Sequence, residues 1–193
     1  MARPEKVPVP VFAANPERWD DLVRLFGAKG ACAGCWCMFP RLARPAWEKG
    51  KGDGNKRALK RLVATGPPPG LLAYLDEIPV GWISLGPRET FPTLARSRVA
   101  KAPDERPAWH VVCLFVAKEH RRKGISKALI DAAAKWATKR GARLLDACPV
   151  EPHKGPMPDA FVWHGVASSF RACGFVEIAR RSPTRPYVRR ELR

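Results

Sequence analysis

Residues 114 to 129 read Leu114-Phe115-Val116-Ala117-Lys118-Glu119-His120-Arg121-Arg122-Lys123-Gly124-Ile125-Ser126-Lys127-Ala128-Leu129. They describe a strand that passes through a basic turn into a helix. The strand starts upstream, because residues 109 to 116 form an almost continuous apolar run, the pattern of a strand covered on both faces. The helix is equally legible. Ile125, Ala128, Leu129, Ala132, Ala133, Trp136 and Ala137 share a stripe, Asp131 and Lys135 pair at i,i+4, and Gly141 ends the run. Free N–H groups at such a helix start, together with the positive end of its dipole, bind phosphate. Gly124 lets backbone approach a ligand closely, and Arg121, Arg122 and Lys123 add charge at the same place. On composition alone, a solvated basic turn capping a core helix fits the segment as well.

Outward from this unit, a strand over 142 to 148 completes a strand–helix–strand crossover, expected to be parallel and right-handed. Upstream, an extended piece over 7 to 13 precedes Asn15-Pro16, an N-cap followed by proline in the first helical turn. Trp19, Leu22, Val23 and Phe26 then follow helical spacing up to Gly27. Residues 28 to 52 read as irregular. Asp53 caps a second helix that closes at Gly66, and strands over 71 to 76 and 79 to 85 follow. Residues 86 to 107 form a long basic loop with one helical turn near Leu94. After a loop bearing Glu151, His153, Asp159 and His164 come a short helix over 166 to 172 and strands over 175 to 179 and 187 to 192. The order β-α-α-β-β-β-α-β-α-β-β predicts one α/β domain over 1 to 193, with a mixed sheet of about seven strands and about four helices.

The 193 residues carry 35 Lys+Arg against 18 Asp+Glu, a formal net charge of +17. Such a field draws anionic partners, whether nucleic acid, acidic membrane or a polyphosphate ligand, and disfavours a polycationic substrate. The longest apolar stretch, 108 to 117, is half a bilayer crossing, and the run 7 to 14 is broken by Pro8 and Pro10. No membrane association is expected. A cytoplasmic location with reduced thiols is.

Several motifs together resemble a known family. Arg121-Arg122-Lys123-Gly124-Ile125-Ser126 is similar to the Arg/Gln-x-x-Gly-x-Gly/Ala acetyl-CoA loop of the GNAT superfamily of N-acetyltransferases. Leu114-Phe115-Val116 resembles its fourth strand, and Phe170-Arg171-Ala172-Cys173-Gly174-Phe175 its late Tyr-x-x-x-Gly-Phe segment. The element order agrees over nearly the whole chain. The resemblance implies an acetyl-CoA cleft around 109 to 130, with Leu114, Phe115, Val116, Arg121, Arg122, Lys123, Gly124, Ile125, Ser126 and Phe170 at the cofactor. It implies that the Val116 N–H bonds the thioester carbonyl and stabilises its oxyanion, while N–H groups of 122 to 126 hold the pyrophosphate.

Two residues depart from the pattern. Ser126 replaces the usual Gly/Ala, and Phe170 stands where a tyrosine commonly protonates the departing thiolate. A thiol with a pKa of about 8.5 leaves well without that help, which is worth roughly 10²–10⁴ in rate. His110, fourteen residues before Gly124, resembles in spacing the catalytic glutamate of the histone-acetyltransferase branch and is a candidate general base. A buried strand histidine satisfied by a backbone carbonyl is the other reading, and the commoner fate of such a residue. Glu151, His153, Asp159 and His164 are rival bases.

Cys32, Cys35 and Cys37 lack the second ligand pair that a tetrahedral zinc site needs, so no metal is expected and packing or redox roles remain. Similar GNAT proteins use this stretch to shape the acceptor pocket. Trp36, Trp47 and Trp82, with Arg88, are its candidate walls, able to grip an apolar or cationic acceptor, while ordinary core packing is the other reading of the tryptophans. The function expected is acetyl transfer from acetyl-CoA to a primary amine of a small molecule or peptide, by a monomer or homodimer. The alternatives are a non-catalytic acyl-CoA sensor and a basic nucleic-acid- or ribosome-associated protein on the same fold.

Overall fold

The computed structural model describes residues 9–152, 155 and 162–193. The first strand, β1 (Val11–Ala13), leads through a turn at Pro16–Arg18, where the Asn15 side chain accepts from the Arg18 N–H. α1 (Trp19–Phe26) buries Trp19, Leu22, Leu25 and Phe26. α2 (Arg44–Lys49), α3 (Asp53–Thr65), β2 (Gly70–Leu75), β3 (Ile78–Pro87) and α4 (Pro92–Arg96) follow. β4 (Trp109–Val116), α5 (Ile125–Thr138) and β5 (Leu144–Ala147) form the expected crossover. α6 (Ala167–Arg171), β6 (Val176–Arg180) and β7 (Pro186–Glu191) end the chain.

The seven strands form one mixed sheet in the order β1-β2-β3-β4-β5-β7-β6, in which only β4 and β5 run parallel. The α/β class and the element order therefore stand. α2 adds a helix to a segment read as irregular. It buries none of its residues, so no apolar period marked it in the sequence. β1 is shorter at its start than the 7 to 13 expected, and residues 7 and 8 lie outside those described.

Strand alternation divides the core in two. Leu71, Ile83, Leu114 and Val116 face α5, joined by Ile125, Leu129 and Ala133. The contact is close because β3 carries glycine there: a Cβ on Gly81 would lie 2.9 Å from both Ile125 Cγ2 and Leu129 Cδ1. Leu72, Tyr74, Trp82, Cys113 and Phe115 face the other way, packed with α1, α3 and the chain around Trp36. A bulge in β4 breaks the alternation. Ser84 pairs with Cys113 but Leu85 with Val111, so Val112 is the extra residue.

Candidate functional site

β4 and β5 pair only at Trp109–Val111 with Leu145–Ala147, and then they part. The short pairing follows from sequence: β5 runs into Pro149, while β4 continues apolar to Val116. On the side of β4 away from β3, the Leu114 N–H donates to the Trp163 carbonyl at 2.8 Å. Residues 165–167 in turn hold Val150: its N–H donates to Gly165 O at 2.8 Å, and the Ala167 N–H donates to Val150 O at 2.8 Å. Gly165 is required there, with φ +76 and a Cβ that would come within 3.0 Å of the Phe170 ring. By backbone alternation the Val116 N–H points the same way as that of Leu114, one step nearer α5. The Leu114 N–H, expected along a bound cofactor arm, is thus held by Trp163, because residues 163–166 run between the parted strands.

At the top of this opening lies the start of α5. Gly124 adopts φ +82, a left-handed conformation that favours glycine, and its carbonyl accepts from the Lys127 and Ala128 N–H groups. Gly124 has no side chain to cap this N-terminus, and among the described residues none caps it, which leaves its first N–H groups free for a ligand. A Cβ at Gly124 would meet nothing within 4 Å. Arg122, Lys123 and Gly124 are exposed, Ser126 is half-buried, and Ile125 is buried against β3. Arg121 Nε donates to the Val116 carbonyl at 3.2 Å, tying the turn to the end of β4. Arg122 holds φ +62 without being glycine, so the turn is strained next to the cradle. This arrangement suits a pyrophosphate, which needs several N–H donors, positive charge and open space. Phe170 is fully buried beneath, edge-on to Phe175 at 5.1 Å.

The acceptor-side expectations fare unevenly. Trp47 is half-buried and joins a group that the sequence left unread: Phe39 lies edge-on to Trp47 at 5.1 Å and to Trp163 at 5.6 Å. Trp36 and Trp82 are core residues instead of walls. Trp36 stacks on Trp19 at 6.3 Å, and Trp82, with no exposed surface, stands edge-on to Phe26 at 5.8 Å. Their faces are spent on packing. Trp82 Nε1 donates to Cys37 Sγ at 3.3 Å. Burial pushes the Cys37 thiol up, but hydrogen bonds from Cys113 and Trp82 and the charge of Arg41 outweigh it and hold the thiol below its ordinary value. Among the described residues no three His, Cys, Asp or Glu converge as metal ligands, and no helix is long and apolar enough to cross a membrane.

His110 and Arg88 lie together in a buried polar network. Asp146, fully buried on β5, accepts from Arg189 Nε at 2.7 Å, Arg88 Nη2 at 2.5 Å and the Tyr187 hydroxyl at 2.6 Å. His110 is 1% exposed, edge-on to Tyr187 at 5.8 Å. Burial holds its pKa down at about 3, and Arg88, Arg185 and Arg189 oppose the partial rescue by Asp146. Such an imidazole stays neutral at pH 7 and is a weak base. Burial likewise holds His164 well below its ordinary value. Glu151 is held at about 2 by hydrogen bonds from Arg171 and Arg180. His153 and Asp159 lie outside the described residues.

His110 also makes stability depend on pH. Its folded pKa, about 3, lies below the ordinary 6.5, so the unfolded chain takes up a proton between these values and the folded one does not. Stability is complete above 6.5 and falls as the pH drops, by at most about 1.4 kcal/mol per pH unit for each such histidine. His164 acts with the same sign. Glu151 and Asp104, held below their ordinary values of 4.5 and 3.8, keep their full stabilisation above those values and lose it only at lower pH. Thermal unfolding should therefore move to lower temperature between pH 6.5 and 5, and His110→Gln should flatten that slope. An unchanged slope would show His110 charged in the folded protein.

The sequence over residues 36–155 matches the family model described as the Acetyltransferase (GNAT) family. No curated protein matches the chain. Among solved structures, it superposes on a mosquito arylalkylamine N-acetyltransferase-like 5b protein at TM-score 0.57 and 12% identity, over 96% of this chain and 100% of that one. A variant of agmatine N-acetyltransferase gives TM-score 0.57 at 13% identity, over 95% and 99%. The PaiA N-acetyltransferase of Thermoplasma acidophilum in complex with coenzyme A gives 0.51 at 14%, over 95% and 99%. At these identities the likeness is one of fold.

Proposed function

The chain belongs to the acetyltransferase (GNAT) family, and from that premise we propose that it transfers an acetyl group from acetyl-CoA directly to a primary amine. The observation that carries this reading is the start of α5 at Gly124, where exposed backbone and the Arg122 and Lys123 charges stand just beyond the end of β4 at Val116. N–H groups of 122–126 would take the pyrophosphate, with Arg122 and Lys123 adding charge. The Val116 N–H would donate to the thioester carbonyl and stabilise the negative charge that grows there as the amine attacks. The amine nitrogen forms the C–N bond, the C–S bond breaks, and coenzyme A leaves as its thiolate. The amine gives its ammonium proton to water before it attacks, and its nitrogen gives a second proton to water as the amide forms, because His110, His164 and Glu151 are all poor bases at pH 7. Phe170 offers no proton to the thiolate, whose own stability suffices.

Phe39, Trp47 and Trp163 would flank the incoming amine and keep water from it. A cytoplasmic setting belongs to the same reading, since six unpaired cysteines suit a reducing compartment.

Thermal unfolding with and without acetyl-CoA at physiological salt tests the cleft, with ATP as a polyanion control. At a hundred times its dissociation constant the ligand adds about 2.7 kcal/mol, a shift of several degrees for a domain of this size. A shift with acetyl-CoA and none with ATP is expected, followed by thiol release when an amine is supplied. Equal shifts with both, or none, would reduce the loop to a merely basic surface.

A further inference from the structure

We propose that Arg88 and Arg185 form a subsite for a carboxylate carried by the acceptor, so that the substrate is an amine with a carboxylate several bonds away. The assignment rests on the transferase reading above. It starts from buried donors that have nothing to bond. Arg88 spends Nη2 on Asp146 and Tyr187, while its Nε and Nη1 are buried without an acceptor among the described residues. Arg185 spends Nη2 on the Cys148 carbonyl at 2.7 Å, and its Nε is buried without an acceptor. His110 Nδ1 likewise has no partner among the described residues. A buried guanidinium N–H left without an acceptor is costly, and an anion is its strongest partner.

The local charge sum says which anion. Asp146 faces Arg88 and Arg189, and Asp104 faces Arg189 at 2.6 Å. Among the described residues Arg185 has no carboxylate within ion-pair distance. Arg106 also meets Asp104 at 2.9 Å and lies 3.9 Å from Glu191, so four guanidiniums stand over three carboxylates, and His110 and His164 are held neutral. One negative charge completes the cluster, which fits a carboxylate and leaves a phosphate dianion in excess. A planar carboxylate also matches the guanidinium fork.

Position links the cluster to the transfer site. Arg88 bonds Asp146, which pairs with His110 across β4 and β5, and Arg185 bonds the carbonyl of Cys148, the residue after β5, where that strand leaves β4. Arg185 and His110 both act on His164, the neighbour of Trp163 that holds the Leu114 N–H. From Val112 or His110 to Leu114 is two or four residues of strand, about 7–13 Å at about 3.3 Å each. The α-amine and carboxylate of a free amino acid are too close together to span this. An ω-amino carboxylate, or a side-chain amine on an amino acid, does.

The test compares 4-aminobutanoate through 8-aminooctanoate with alkylamines of matching length, using the full chain. Acetyl transfer should show a KM about ten- to a hundredfold lower for the carboxylates at the best length, the range expected for bonds between a guanidinium and a carboxylate. Arg185→Gln should abolish that advantage while sparing KM for the alkylamines. A binding arm needs no turnover: 6-aminohexanoate should raise the unfolding temperature of the wild type more than hexylamine or inorganic phosphate does, and should not raise that of Arg185→Gln. Without ligand, Arg185→Gln should unfold no lower than wild type, because it removes an uncompensated charge. Equal KM values across both series, or no stabilisation by 6-aminohexanoate, overturn the subsite even where acetyl transfer is seen. Stabilisation without transfer to any amine instead overturns the transferase reading and leaves the carboxylate site standing.

Discussion

Gly124→Glu should weaken acetyl-CoA binding by at least about a hundredfold while the protein stays folded. Three features combine in that expectation. Gly124 sits at φ +82, where a residue with a Cβ pays about 1–2 kcal/mol, so the turn shifts from its cradle shape. The new Cβ would meet no described atom within 4 Å, so the side chain starts in open space. It would fill the open space that the pyrophosphate requires. Its carboxylate also satisfies the uncapped N-terminus of α5, which stabilises the helix and places a negative charge where an anion should bind. Fold and binding are thus pushed in opposite directions, and thermal unfolding with titrated acetyl-CoA separates them. Retained affinity in a folded variant would put the cleft elsewhere. Gly124→Ala, with the same backbone cost and little bulk, should lose much less.

Asp146→Ala should cost about 3–5 kcal/mol of stability, the range for breaking a buried ion pair from one side. The carboxylate is fully buried and serves Arg88, Arg189 and Tyr187 at once, and its removal strands guanidinium charge inside the sheet. For a domain of this length each kcal/mol is about 2–4 °C, so unfolding should occur roughly 6–20 °C lower. Chemical denaturation gives the same quantity directly. Asp146→Asn keeps acceptor capacity without charge and should fall between. A change below about 1 kcal/mol would mean that water reaches Arg88 and Arg189 and that the network is less buried than the structure has it.

How much of this was legible in the chain depended on how local the cause was. α5 and β4 were readable because burial on one stripe or on both faces writes a period into consecutive residues. α2 was not, since Arg44–Lys49 buries nothing. Gly124 stood out because one residue meets a backbone demand that few others can. The tryptophans were ambiguous for the opposite reason: composition marks them as large and apolar, but only the direction of β3 sends Trp82 into the core. Phe39, Trp47 and Trp163 come from three distant segments, and no spacing announces their meeting.

By itself, then, the sequence determined the strand–turn–helix unit, the α/β order and the place where an anionic cofactor would meet free backbone donors. These depend on neighbours a few residues apart, whose side-chain types dictate their own local geometry. Only the tertiary structure decided that His110 is buried and neutral, that Asp146 is shared by two arginines, and that Arg185 has no counter-charge among the described residues. Those facts depend on dielectric and on charges from strands forty or more residues apart, which become neighbours only when the sheet closes.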